Sequence, residues 1–290
     1  MKNLTTIALL FCLQFCICQP INRSFENANG TLKLLGQVTL DRLMSDPFDE
    51  WYQTNFTEHP LDLETLETID LSDSITIFMG TWCGDSRREV PRFIKVLENE
   101  SFDFSKLKIV CLNSGFQNYK QAPEREERGV NIHRVPTFIF HESDGTEIGR
   151  IVEEPIVSLE VDTKTILAGG EYKTFYPVVA DLLEKFENHS IKEVRKMIPK
   201  LRDGYREMIV NEYELNTYGY VLWTSFDLMK AEFIFELNTE IFPESALPFQ
   251  SLARFKQVMG MRKEALVSAK KGIKIDPENE TLARLIAELD

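Results

Sequence analysis

The chain has 290 residues, 43% of them hydrophobic, with 33 basic against 46 acidic side chains and a formal net charge of −13. That length allows one large core or two modest ones, and two is the expectation. The acidic excess and the lack of any basic run exclude nucleic acid and anionic membrane as natural partners, because nothing would neutralise their phosphates.

In chain order, residues 1–18 are expected to be a secretory signal peptide. Lys2 supplies the positive end, residues 7–18 are apolar apart from Gln14, and the small residues Cys16 and Cys18 precede Gln19. The stretch is too short to span a bilayer as a mature anchor. Phe11, Phe15 and Ile17 stand before Cys12, Cys16 and Cys18, where lipid attachment would want a small residue, so a lipid anchor is not expected. The mature protein is expected to be soluble and exported, with no membrane span. Loss of the signal leaves only Cys83 and Cys111, which is no disulfide scaffold.

Residues 19–31, rich in Asn, Ser and Gly, predict a flexible leader. Residues 32–70 predict an irregular approach with helical pieces at 41–43, 48–56 and 61–69. The run 75–79 is short, apolar and bounded by Asp73-Ser74 and Gly80, as a strand buried in a sheet would be. From 84 to 98 the period changes, and Val90, Phe93, Ile94 and Leu97 fall on one helical face. Residues 107–112 predict a second buried strand and 122–128 a charged surface helix. Two strands at 137–141 and 147–152 are joined by Ser143-Asp144-Gly145, a hairpin signal. A helix over 158–168 is stopped by Gly169-Gly170. The sum predicts an α/β domain over 32–170, a central mixed sheet covered by helices on both faces.

Beyond residue 171 no strand is predicted. Helices at 177–187 and 190–203 form a connector over 171–211. A shift of 34 residues then superposes Ala231 on Ala265, Ile241 on Ile275, Pro243 on Pro277, Glu244 on Glu278 and Gly219 on Ala253. An ordinary helical bundle could self-match, but the matched positions are the small and proline ones. They resemble the tetratricopeptide repeat, which implies two antiparallel helices per unit, with Phe235 filling the gap left by small residues. The implied units are 212–245 and 246–279, with 280–289 as a capping helix. The 177–210 helices would complete the stack.

The residues that carry chemistry are Thr81-Trp82-Cys83-Gly84-Asp85-Ser86. Cys83 falls where a strand ends and a helix begins, so unpaired N–H groups and the helix dipole favour its thiolate. Arg87 and Arg88 would help and Asp85 would oppose, which predicts a moderately acidified thiol. Over 70–170 the chain resembles the thioredoxin-fold proteins: strand, Trp-Cys-Gly, helix, strand, then Val135-Pro136-Thr137 opening a hairpin. The resemblance implies a cis Pro136 facing Cys83, with the Val135 main chain offered to substrate.

Two departures narrow what the resemblance implies. Ser86 stands where a resolving cysteine would, and Ile77 where a buried acid would serve that cysteine. Serine cannot release a mixed disulfide. Cys111 is the one internal candidate for a second thiol, against its alternative as a small apolar core residue. Trp82 either packs in the core or shields the thiol. His133 could tune Cys83 or be a surface residue without a role. No ligand spacing for zinc, phosphate loop or dinucleotide fingerprint is present, and no cofactor is expected.

The leading expectation is a monothiol redox protein of an exported compartment such as the bacterial periplasm. Cys83 would attack clients, an external thiol would resolve the adduct, and a peptide or helix would dock in the repeat groove. The alternatives are a non-catalytic scaffold whose repeats do the work, and a cluster-binding protein like some monothiol glutaredoxins. The latter carry an aromatic residue where this chain has Asp85.

Overall fold

A computed structural model describes residues 21–27, 29–66 and 74–290. The signal expected at 1–18 lies outside the described residues, as do 67–69 of the helix expected at 61–69. The protein is mixed α/β, with six strands in one mixed sheet and many helices. Among the described residues no helix is long and apolar enough to cross a membrane.

The strands are β1 (Arg23–Glu26), β2 (Leu32–Val38), β3 (Ser74–Met79), β4 (Leu107–Cys111), β5 (Thr137–His141) and β6 (Glu147–Val152), in spatial order β1-β2-β4-β3-β5-β6. Only β3 and β4 run parallel; every other pair is antiparallel. Within the leader expected to be flexible, residues 23–26 form instead an edge strand, with Arg23 opposite Leu35 and Glu26 opposite Leu32. Backbone pairing needs no apolar side chains, so a polar segment at a sheet edge can order without a hydrophobic signal. β2 was also missed. It alternates correctly, with Leu34, Gly36 and Val38 buried, but Gly36 at φ +72° breaks the look of a strand.

Short helices α1 (Leu40–Leu43), α2 (Asp49–Glu58) and α3 (Leu63–Leu66) lead to β3, and α4 (Gly84–Asn99) follows it. Val90, Phe93, Ile94 and Leu97 of α4 are fully buried, in one cluster with Ile77, Met79, Ile109, Cys111, Phe138 and Phe140. Phe93 meets Phe138 at 4.7 Å and Phe140 at 5.9 Å between ring centroids. The hairpin between β5 and β6 closes with Gly145 at φ +88° and its N–H on Glu142. Helix α5 (Leu159–Leu167) is capped by Ser158, whose hydroxyl accepts from Val161 N–H. It ends as expected, with Gly169 at φ +68° and the Gly169 and Gly170 N–H groups returning to the last turn.

Among the described residues no helix covers the opposite face of the sheet. Phe78, Val110 and Ile139 pack there against Leu112, Ala122, Ile132 and Val135 from irregular chain. The helix expected at 122–128 does not form. That segment has no apolar face, and a helix of seven residues gains too little by itself. It turns instead, with Arg125 at φ +61° and the buried Glu127 carboxylate accepting from Ala122 N–H.

The rest of the chain is helical: α6 (Pro177–Asn188), α7 (Ile191–Lys196), α8 (Ile198–Tyr205), α9 (Glu212–Thr224), α10 (Leu228–Ile241), α11 (Ala246–Val258), α12 (Arg262–Ile275) and α13 (Glu280–Leu289). The single helix expected over 190–203 is two. Helices α11 and α12 lie 34 residues after α9 and α10 at both ends, so the sequence repeat is a repeat of helical hairpins. At Gly219 an added Cβ would sit 2.6 Å from the Phe235 ring, so α9 and α10 approach at a distance only glycine allows. Val178, Leu182, Val194 and Leu201 of α6 to α8 share the core of α9 and α10.

This helical half is bonded to the irregular face of the sheet half. Gln121 Nε2 donates to Thr224 O at 2.7 Å, and Arg134 Nη2 to Tyr213 O at 2.9 Å. Phe116 packs edge-on against Trp223 and Tyr220.

Candidate functional site

The site begins with a turn that only glycine permits. A Cβ at Gly80 would meet the Trp82 indole at 2.6 Å. Cys83 N–H donates to Gly80 O, and the buried Thr81 hydroxyl accepts from Leu34 N–H of β2. Trp82 Nε1 donates to Leu112 O at 2.8 Å, which fixes the indole over the irregular face. Cys83 is thereby delivered to the N-cap of α4.

Its sulfur makes no cap hydrogen bond, and the residue is half-buried. The thiol donates to Val135 O at 3.2 Å, and Asp85 Oδ2 lies 3.8 Å away. The Val135–Pro136 peptide is cis. Val135 is fully buried, and its N–H donates to no group among the described residues. Cys83, Val135 and Pro136, far apart in sequence, thus meet.

Ser86 is fully buried, and its Oγ accepts from Gly80 N–H at 3.1 Å. It braces the turn from within. Arg87 Nε donates to Thr81 O, and Arg88 pairs with Asp85 at 3.0 Å, Glu154 at 2.5 Å and Glu89 at 2.5 Å. Those carboxylates hold its guanidinium above its ordinary pKa, against the opposing effect of burial. The support expected from Arg87 and Arg88 is therefore engaged elsewhere.

Cys111 does not join the site. It is fully buried, opposite Met79 on β3, in the cluster beneath α4, whereas Cys83 packs at the edge of the cluster on the opposite face. Both thiols are free, and burial pushes that of Cys111 up. Ile77 is buried in that same cluster beneath α4. His133 is not a surface residue. It is buried between the rings of Tyr176 and Tyr218, and its Nε2 has no partner. Burial pulls it down to about 3, so it is a neutral imidazole.

Sequence reasoning missed Tyr119 and Lys120. Lys120 has φ +54° and is only 4% exposed, with Nζ 5.3 Å from the Trp82 ring and 5.1 Å from that of Tyr119. Burial lowers its pKa to about 8; Arg134 acts in the same sense, and Cys83, Glu153 and Asp85 oppose. Glu153, at φ +65° after β6, bonds the Tyr176 hydroxyl and lies 3.5 Å from Arg134. Burial raises its carboxyl, with Arg134 opposing. No periodicity or motif marks these residues. Their roles come from where an irregular chain happens to run.

No protein-family model, curated protein or solved structure matches the chain.

Proposed function

We propose that the chain is an exported monothiol protein of the thioredoxin-like class, acting in a compartment such as the bacterial periplasm. It would exchange disulfides with client proteins, and its tetratricopeptide-like helical half would recruit partners. The observation that carries this reading is the meeting of Cys83 with Val135. A half-buried thiol at a helix N-terminus lies 3.2 Å from the Val135 carbonyl, beside the cis Val135–Pro136 peptide. A client sulfur would approach Cys83 from its exposed side, since Val135 itself is fully buried.

In the proposed reaction the Cys83 thiol loses its proton and the sulfur attacks one sulfur of a client disulfide. The client S–S bond breaks, a Cys83–client disulfide forms, and the other client sulfur leaves as a thiolate that takes up a proton. An external thiol then attacks this mixed disulfide and releases Cys83. Ser86, buried and hydrogen-bonded to Gly80, supplies no sulfur for that step. The groove of about 420 Å³ formed with Glu236, Leu252, Lys256 and Lys271 supports the recruiting role.

In a second reading the sheet half is a non-catalytic scaffold, favoured by the apolar Ile77 and by the enclosure of Ser86. Incubating wild type and Cys83→Ala with disulfide-bonded peptides, and measuring adducts by intact mass, separates the two. A Cys83-dependent adduct that glutathione releases supports exchange. Its absence in wild type leaves the scaffold.

A further inference from the structure

A second site lies where the two halves meet. A cleft of about 280 Å³ is walled by Phe116 and Tyr119 from the irregular chain after β4, by Asn216 and Tyr220 of α9, and by Arg254 of α11. One of its walls, the Tyr119 ring, is 6.5 Å from the ring of Trp82, the residue before Cys83.

Its chemistry is unlike the rest of the surface. The chain carries 46 acidic side chains, yet none lines this cleft. Arg254 is exposed, lies 4.7 Å from the centre of the Phe116 ring, and forms no ion pair among the described residues. Lys33 reaches the same wall, donating to Ser114 Oγ at 2.7 Å, and likewise has no acidic partner there. Two cations without carboxylates therefore flank a pocket with aromatic walls. The Asn216 amide also lines it, nine-tenths buried, and its oxygen has no hydrogen-bond partner. An unpartnered amide oxygen at the cleft wall matches a peptide N–H, which would donate to it.

We propose that this cleft binds an acidic stretch of the client polypeptide that flanks its reactive cysteine. Carboxylates would pair with Arg254 and Lys33, a backbone amide would meet Asn216, and Phe116 and Tyr220 would pack against the stretch. The word client rests on the Cys83 reading. The cleft's preference for an acidic peptide does not.

The test uses a fluorescent glutamate-rich peptide without cysteine and its lysine-for-glutamate twin, with anisotropy read on the full chain. The acidic peptide should bind more tightly. Arg254→Glu should weaken it about tenfold and shift preference toward the lysine twin, with Lys33→Glu acting in the same sense. Both replaced side chains lie outside the buried cores, and an unchanged melting temperature confirms the fold. Equal binding of the two peptides, or an acidic preference that survives Arg254→Glu, overturns the proposal. A parallel arm places a cysteine with a chromophoric disulfide leaving group in each peptide and follows its release. If the acidic peptide binds but no adduct forms, the cleft stands and the Cys83 reading falls. If both peptides form adducts but bind equally, the reverse holds.

Discussion

The two faces of the sheet are built in different ways. Beneath α4, regular elements bury Ile77, Ile109, Phe93, Phe138 and Cys111 in one periodic core. The other face is covered by irregular chain running from Leu112 to Val135, which carries Tyr119 and Lys120, and against that cover lie Trp82, Cys83 and the helical half. The two free cysteines fall one to each face. The comparison teaches that identical side chains acquire opposite fates from their cover. A packed helix makes Cys111 inert core, while a cover of turns leaves Cys83 reachable and places polar groups around it.

The sharpest way to break this contrast is to exchange the cysteines' roles. Cys83→Ala should abolish adduct formation with disulfide peptides and leave the unfolding midpoint nearly unchanged. Cys111→Ala should leave adducts intact and lower stability by about 1 kcal/mol through the lost volume, read by urea unfolding. In the same core, Phe93→Ala should cost about 3–5 kcal/mol, because a fully buried ring in contact with Phe138 and Phe140 leaves a cavity that regular elements cannot close.

On the irregular face the expected signature is electrostatic. Lys120 has its pKa lowered to about 8 from 10.5, so between those values the unfolded chain holds a proton that the folded one has released. Stability from this group therefore rises with pH across that window, and below it the buried charge is a cost. Lys120→Met should be more stable than wild type at neutral pH, by up to about 3 kcal/mol, with the gap narrowing from pH 8 to 10.5. A constant gap would show that Lys120 is solvated. The smallest effect is kinetic. Asp85→Asn removes a negative charge 3.8 Å from the sulfur and should speed mixed-disulfide formation about threefold at low salt.

How much could be foreseen follows the same division. The α4 face was legible because burial there obeys a period, as at Val90, Phe93, Ile94 and Leu97. The hairpin and the repeat were legible from Gly145 and from the matched small and proline residues. The edge strand at Arg23–Glu26 was not, since its order comes from backbone pairing and not from side chains. The segment 122–128 carries the charges of a surface helix, and what overrides them is one carboxylate, Glu127, turned inward to the Ala122 N–H. Within the site, Cys83, Val135 and Pro136 were legible as a motif. Lys120 and Tyr119 were not, because their positions depend on turns set by contacts distant in sequence, such as Gln121 with Thr224.

Ser86 has one more consequence, and it concerns time. With Oγ enclosed and bonded to Gly80 N–H, the first turn of α4 offers no second sulfur. In the exchange proposed for Cys83, the half-life of a captured client is then set outside the molecule. It shortens as the surrounding free thiol rises, alongside the return attack of the client's own freed thiolate. In a reducing medium the protein turns over. In an oxidising one it holds what it has caught.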